Sequence, residues 1–155
     1  MKNSNFPSIS IVGATGAVGK ICLDILNERD YPVEKINLFA SSRSAGKKII
    51  YGSSEIIVKE ATKNSFQDSD VVFISADSSV SLNLAPSAVE SGALVIDDGS
   101  AFRMKEDVPL VVPEVNESDI NFHKGIISIP NCTTTPLVMA LDRLRRLSKI
   151  GRAHV

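Results

Sequence analysis

Apolar and polar positions along the chain alternate between two periodicities. Ile9-Ser10-Ile11-Val12, Ile36 to Phe39, Val71-Val72-Phe73-Ile74 and Leu94-Val95-Ile96 are runs too short for helices. The Val71 run is also too apolar to be half exposed, which predicts a central parallel strand covered on both faces. Between these runs the pattern turns helical. From Ala17 to Arg29, residues Val18, Ile21, Cys22, Ile25 and Leu26 recur at three- and four-residue steps, until Asp30, Tyr31 and Pro32 end the helix. A second helix is expected from Val80 to Ser91, stopped by Gly92. A last one runs from about Thr134 to Leu147, with Leu137, Leu141 and Leu144 on one face. Ile49-Ile50-Tyr51 and Glu55 to Glu60 read as a pair of strands around the Gly52-Ser53-Ser54 turn. Leu110-Val111-Val112 and Gly125 to Ile129 read as further strands. Strands alternating with helices imply right-handed βαβ units. The expected fold is therefore α/β: a Rossmann-like, doubly wound, mostly parallel sheet.

Composition narrows the class without naming a chemistry. The 155 residues suffice for one domain with a real core, and 43% hydrophobic with 23% charged residues is ordinary for a soluble globular protein. A net charge of −1 gives no reason to expect nucleic acid or an anionic membrane surface as partner. No apolar run approaches the roughly 20 residues that span a bilayer, and the polar stretch Met1 to Ser8 does not read as a signal peptide. Two cysteines, Cys22 and Cys132, do not make a disulfide framework, which fits a reducing cytoplasm. No Cys/His/Asp spacing suggests a metal.

Gly13-Ala14-Thr15-Gly16-Ala17-Val18-Gly19 joins a predicted buried strand to a helix, the context a dinucleotide fingerprint requires. Glycines let the backbone turn tightly and approach a pyrophosphate, and the helix start offers free N–H groups and a positive dipole end. The spacing G-x-x-G-x-x-G is a variant of the commoner form. A site that prefers NAD carries Asp or Glu at the end of the second strand to hold the ribose 2′-hydroxyl. This chain has Ala40-Ser41-Ser42-Arg43-Ser44-Ala45-Gly46 there. An arginine fork with nearby hydroxyls suits a 2′-phosphate, so NADP is the expected cofactor.

Pro130-Asn131-Cys132-Thr133-Thr134-Thr135 lies between the strand ending at Ile129 and the last helix. A cysteine at a helix start feels the positive dipole end, which favours the thiolate. A thiolate that attacks an aldehyde, beside a nicotinamide that accepts hydride, is the equipment of an acylating dehydrogenase. Cys22, on the apolar face of the first helix, reads instead as a small buried hydrophobe. Arg103, beside Gly99 and Ser100, is a plausible anion clamp or a surface arginine. His123 reads as an exposed turn residue.

Taken together, Gly13 to Gly19, Ser42-Arg43-Ser44-Ala45-Gly46-Lys47, Val108 to Asn116 (VPLVVPEVN) and Pro130-Asn131-Cys132-Thr133-Thr134 resemble the aspartate-semialdehyde dehydrogenase family, in that family's order, over nearly everything from Ser8 to about Leu147. The resemblance implies Cys132 as acyl-thioester nucleophile and Asn131 as a positioner of substrate. It implies Gly13, Thr15, Gly16, Ala17, Val18 and Gly19 on the cofactor, Arg43 with Ser44 on the 2′-phosphate, and Ser75 and Ala76 beside the dinucleotide. It implies Arg103 on phosphate or 4-aspartyl phosphate. The implied reaction converts 4-aspartyl phosphate and NADPH to L-aspartate 4-semialdehyde and phosphate, on the route to lysine, methionine and threonine, in a cytoplasmic homodimer. Two departures stand out. Asp97-Asp98-Gly99-Ser100 occupies the place of the family's usual Asp-Asn-Ser-Ser, and Ser75-Ala76-Asp77 has Asp where Gly is common. An extra carboxylate beside an anion site opposes anion binding.

The same resemblance divides the chain into a cofactor domain over residues 1–131 and the start of a catalytic and dimerisation domain over 132–149. The family's general-base histidine and its substrate-carboxylate arginine would lie beyond the chain, so the fragment alone is expected to be inactive. Ile150 to Val155 is what the codons ATC GGA AGA GCA CAC GTC encode, a string resembling a sequencing adapter. These six residues, His154 included, are read as an artefact in preference to a natural helix end capped by Gly151. The rival readings are an N-acetyl-glutamyl-phosphate reductase and a non-catalytic NADP(H)-binding module. The Asn131-Cys132-Thr133 context and the VPEVN stretch argue against the first, and the retained Cys132 against the second.

Overall fold

The computed structural model describes residues 6–147, so the expectation for Ile150 to Val155 lies outside the described residues. In chain order the elements are β1 (Ser8–Val12), α1 (Ala17–Glu28), β2 (Lys35–Ala40), β3 (Lys48–Tyr51), β4 (Ser54–Ile57), β5 (Lys59–Glu60), β6 (Val71–Ile74), α2 (Ser78–Glu90) and β7 (Leu94–Asp97). Then come α3 (Pro113–Asn116), a 3-10 turn over Glu117–Phe122, β8 (Ile126–Ser128) and α4 (Thr134–Leu147). Six strands form one sheet in the order β5-β2-β1-β6-β7-β8, every neighbour parallel. From β1 the chain winds outward to β2 and β5, then returns to β6 and winds the other way. That reversal, between the carboxyl ends of β1 and β6, is where a doubly wound sheet opens a crevice for ligands.

The strand periodicity of two divides the core into two layers. Ile9 and Ile11 of β1, Ile36 and Leu38 of β2 and the buried Val58 pack with Leu23 of α1. Val12, Phe39, Val72, Ile74 and Val95 point the other way, onto Leu84, Ala85 and Ala88 of α2. Ser10 sits at the middle of β1 with no exposure, and its hydroxyl is satisfied by Ser69 at 2.6 Å. A buried hydroxyl without that partner would be strongly unfavourable.

The structure departs from the sequence expectation in three places. The buried stripe of α1 is Gly19 and Leu23, flanked by Cys22 and Leu26, whereas Val18, Ile21 and Ile25 are 44%, 55% and 41% exposed. The cause is the contact of Gly19 with the glycine turn: a Cβ there would stand 2.3 Å from the Gly13 carbonyl oxygen, so the bare glycine lies against the turn and sets the rotation of the helix. Glu55 to Glu60 is not one strand. β4 pairs with β3 as a separate antiparallel hairpin, Val58 turns into the core, and Lys59–Glu60 joins the main sheet beside Phe39 and Ala40. Leu110 to Val112 makes only a single bridge to Ser128 before Val112 starts α3.

Phe66, with no exposure, lies edge-on to Phe39 with ring centroids 5.7 Å apart and planes at 71°. It fastens the connection after β5 beneath the outer half of the sheet. Phe66→Ala should lower unfolding free energy by about 3–5 kcal/mol through lost burial, an unfilled cavity and the lost edge contact. Urea denaturation measures this, and a loss below about 1 kcal/mol would mean that the connection repacks without the ring.

Candidate functional site

The site begins with one backbone contact. Gly13, at φ +87, leaves β1 so close to the first residue after β6 that a Cβ would lie 2.0 Å from the Ser75 carbonyl oxygen. No side chain fits there, and the left-handed φ disfavours any residue but glycine. The turn is fastened on both sides: the Gly13 and Ala14 N–H groups donate to the Phe39 carbonyl at 2.9 and 3.1 Å, and the Ser75 N–H donates to Val12 at 3.0 Å. Gly16 begins α1 with no side-chain cap on the helix and no acidic residue in its first turn. The first N–H groups of that helix therefore point outward with the positive dipole end and no internal acceptor from a cap.

Above this turn lies a cleft of about 830 Å³. Gly13, Thr15 and Gly16 form its floor, Ser41, Ser42 and Arg43 one wall, and Ser75, Ala76 and Asp77 the other. Arg43 makes no side-chain ion pair or hydrogen bond among the described residues, so its guanidinium is available to a ligand. The expected contacts Ala17 and Val18 lie at the exposed start of α1, outside the walls of the cleft, and Gly19 is buried under the turn. Ser44 also lies off the walls, its hydroxyl accepting from the Lys47 ammonium at 3.4 Å. Sequence reasoning missed Glu60, which lines the cleft beside Ala61. Its only signal was hidden in a two-residue strand.

A second group of residues sits at the β7–β8 end of the same sheet edge. Asp98 accepts from the Ser75 hydroxyl at 3.0 Å, which ties its carboxylate to the wall of the cleft. Arg103 donates from Nε to the Ile129 carbonyl at 2.9 Å and from Nη2 to the Asp98 carbonyl at 2.7 Å. It thus clasps the loop after β7 to the strand end that leads into Pro130-Asn131-Cys132, with guanidinium N–H groups still to spare. The Asn131 side-chain oxygen accepts from the Thr133 N–H at 3.0 Å, the Thr133 hydroxyl at 2.7 Å and the Cys132 thiol at 3.7 Å. Its backbone oxygen accepts from Thr134 and Thr135 at 2.8 and 3.1 Å. Asn131 therefore caps the start of α4 and holds the exposed Cys132 at its mouth.

The remaining candidates fall into structural roles. Cys22 is half-buried and burial pushes its thiol pKa up, so it is a poor nucleophile. His123 is exposed, and its Nδ1 accepts from the Gly125 N–H at 3.0 Å, a turn contact. No group of three or more His, Cys, Asp or Glu among the described residues could hold a metal ion. None of the described helices is long and apolar enough to cross a membrane.

Comparison with known proteins adds relatives to this geometry. Residues 8–123 match the family model of the semialdehyde dehydrogenase NAD-binding domain. An aspartate-semialdehyde dehydrogenase of Bacillus subtilis is 49% identical over 147 residues, 95% of this chain and 42% of that protein. The crystal structure of aspartate semialdehyde dehydrogenase II complexed with ASA from Vibrio cholerae superposes with a TM-score of 0.88 at 38% identity, covering 92% of this chain and 47% of that one. Aspartate semialdehyde dehydrogenase with NADP from Candida albicans superposes at 0.76 with 31% identity, over 92% of this chain and 48% of that one. The chain thus spans less than half the length of these relatives.

The last side chain of β7 gives the site a pH signature. Asp97 has no exposure, accepts from the Ser81 hydroxyl through Oδ1 at 2.6 Å, and has no hydrogen-bond partner at Oδ2. Burial raises its pKa above the ordinary 3.8, opposed by the Ser81 hydrogen bond and the nearby Gly99 backbone N–H; Asp98 adds to the rise and Arg103 opposes it. A carboxyl whose folded pKa is raised contributes stability that is present below the unfolded value and is lost as pH rises through the folded one. Asp97→Asn keeps an acceptor for Ser81 and removes the charge. Urea denaturation of both proteins from below pH 3.8 to neutrality should show the variant gaining on the parent as pH rises. A difference that does not change with pH would show that this carboxyl titrates alike in both states.

Proposed function

The chain belongs to the semialdehyde dehydrogenase family, among its aspartate-semialdehyde dehydrogenases, and from that premise we propose that the whole protein reduces 4-aspartyl phosphate to L-aspartate 4-semialdehyde with NADPH. The observation that carries this reading is the Arg103 clasp. It joins the Asp98 loop, which touches the dinucleotide cleft through Ser75, to the strand end that presents Cys132.

The residues present suit a phosphorylated dinucleotide. Gly13 and Gly16 leave the floor of the cleft without side chains, and the uncapped start of α1 faces it with N–H groups. Arg43, Ser41 and Ser42 stand at the wall beyond β2, which ends in Ala40 and carries no carboxylate there. Those groups would hold a 2′-phosphate, and the Candida albicans relative is described with NADP. When bound, NADPH supplies hydride to an acyl carbon.

The chain's own residues account for the acyl transfer. The Cys132 thiolate attacks the acyl carbon of 4-aspartyl phosphate; the carbon–sulfur bond forms and the bond to the phosphate oxygen breaks, releasing phosphate. Free N–H groups of Arg103 balance the charge of the departing phosphate, and Asn131 orients the thiol through its side-chain oxygen. Once hydride has reached the thioester carbon, the resulting oxyanion re-forms its carbonyl as the carbon–sulfur bond breaks. The aldehyde leaves and Cys132 is restored as thiolate with no net proton transfer.

We read residues 1–131 as the cofactor domain and the segment from Cys132 as the start of a second, dimer-forming one. Among the described residues the histidine, His123, sits at a turn away from Cys132's loop. For the whole protein the reading is a cytoplasmic homodimer.

Two substitutions test the reading in the whole protein. Cys132→Ala should abolish phosphate-dependent reduction of NADP with aspartate semialdehyde and leave NADPH affinity, read by nucleotide fluorescence, almost unchanged. Turnover near the parent's rate would remove the thioester route. Arg43→Glu should reverse a preference for NADP(H) over NAD(H), through loss of a charge-assisted contact of roughly 1.5–3 kcal/mol, about ten- to hundredfold in affinity. Equal affinities for the two nucleotides in the parent would sink the NADP assignment.

A further inference from the structure

We propose that Glu60 is the adenine-recognising residue of the cleft, its carboxylate accepting a hydrogen bond from the purine 6-amino group. This rests on the dinucleotide reading above and deepens it. The sheet order fixes which half of the ligand lies where. Cys132 follows β8, at one end of β5-β2-β1-β6-β7-β8, so the reacting ring must lie on the β6–β8 side of the crevice. The pyrophosphate lies at the start of α1, and the adenosine then extends toward β2 and β5. Glu60 is the last residue of β5, in register with Ala40 at the end of β2, and it lines the cleft.

The position needs an explanation because it opposes the rest of the wall. A carboxylate near a 2′-phosphate site is unfavourable unless it meets a donor. Among the described residues Glu60 has none: its side chain makes no ion pair and no hydrogen bond, with Arg43 or anything else. The adenosine moiety of a 2′-phosphorylated dinucleotide offers two donors, the ribose 3′-hydroxyl and the 6-amino group. The hydroxyl adjoins the phosphate, where a carboxylate is repelled. The amino group is the donor farthest from it, and β5 is the strand farthest from the glycine turn on that side.

Three ligands separate the possibilities in the whole protein, with binding read by nucleotide fluorescence: NADPH, its hypoxanthine analogue and NADH. The hypoxanthine analogue carries a carbonyl oxygen where adenine has the amino group. The parent should bind NADPH roughly tenfold more tightly than this analogue, the size of one charge-assisted hydrogen bond. Glu60→Ala should weaken NADPH by a similar factor and bring the two ligands level, while preference for NADPH over NADH persists through Arg43. Glu60→Gln, whose amide oxygen still accepts, should retain part of the discrimination. Because Glu60 is exposed on an edge strand, unchanged thermal denaturation of the variants is expected and secures the comparison. Equal binding of NADPH and the analogue by the parent, or tighter NADPH binding by Glu60→Ala, would overturn the inference and leave the cofactor reading standing. NADPH failing to bind the parent would overturn both.

Discussion

The bare approach of Gly13 to the Ser75 carbonyl is the contact on which the site depends. It brings the ends of β1 and β6 together at the point where the sheet reverses its winding, and it leaves a floor with no side chains. The same turn receives Gly19, which lets α1 sit close enough for its first N–H groups to overlook the crevice. A methyl group at either glycine would meet backbone, not a flexible side chain, so the turn could not yield by a rotamer change. Cleft, helix direction and the placement of the Arg43 wall all follow from these two contacts, because the loop after β2 is hung from the same turn through the Phe39 carbonyl.

The other half of the site is assembled by a different device. The loop after β7 carries no regular structure, and Arg103 holds it by donating to two backbone carbonyls, one in the loop and one at the end of β8. Hydrogen bonds from a charged donor are worth roughly 1.5–3 kcal/mol each, enough to offset the ordering of a few residues at roughly 1–2 kcal/mol apiece. Arg103 thus pins the loop at one point, and the rest of it is held by its own packing. Asn131 repeats the logic at smaller scale, its amide oxygen accepting from Thr133 at the start of α4 and from the Cys132 thiol, so that the exposed cysteine is held in place. Arg103 and Asn131 therefore set the geometry of this end of the sheet by contacts within the chain.

Some of this was legible in the residues and some was not. The strand, glycine turn and helix from Ile9 to Glu28 could be read because glycine spacing, apolar runs and helix periodicity all agree there. The mostly parallel, doubly wound sheet followed from the alternation of strands and helices, but its sixth strand did not. The buried stripe of α1 was misplaced, since periodicity allows two apolar stripes and only the Gly19 contact chooses between them. β5 was invisible as a separate strand: two residues have no period, and Val58 joins them to the hairpin strand before them. Glu60 was missed with it. The clasp made by Arg103 depends on carbonyls 26 and 5 residues away, and no local pattern encodes a backbone acceptor at that distance.

The charge of the cleft is the last step. Glu60 and Asp77 line it and Asp98 borders it through Ser75, against one arginine, Arg43, so formal charge alone would make a poor anion site. Distance and solvent decide otherwise. Two charges 4 Å apart interact by about 1 kcal/mol in water and about 4 kcal/mol near a protein surface, and salt damps separations beyond about 8 Å. Glu60 and Asp77 are exposed and sit at the rim, where water and salt weaken their repulsion. The floor is the backbone of Gly13, Thr15 and Gly16 at the positive end of α1, fixed dipoles that need no reorganisation to meet a phosphate. Short, oriented contacts from the backbone outweigh longer and better-solvated repulsions. That leaves the carboxylates of the rim free to discriminate among the polar groups of a ligand whose phosphates are already held.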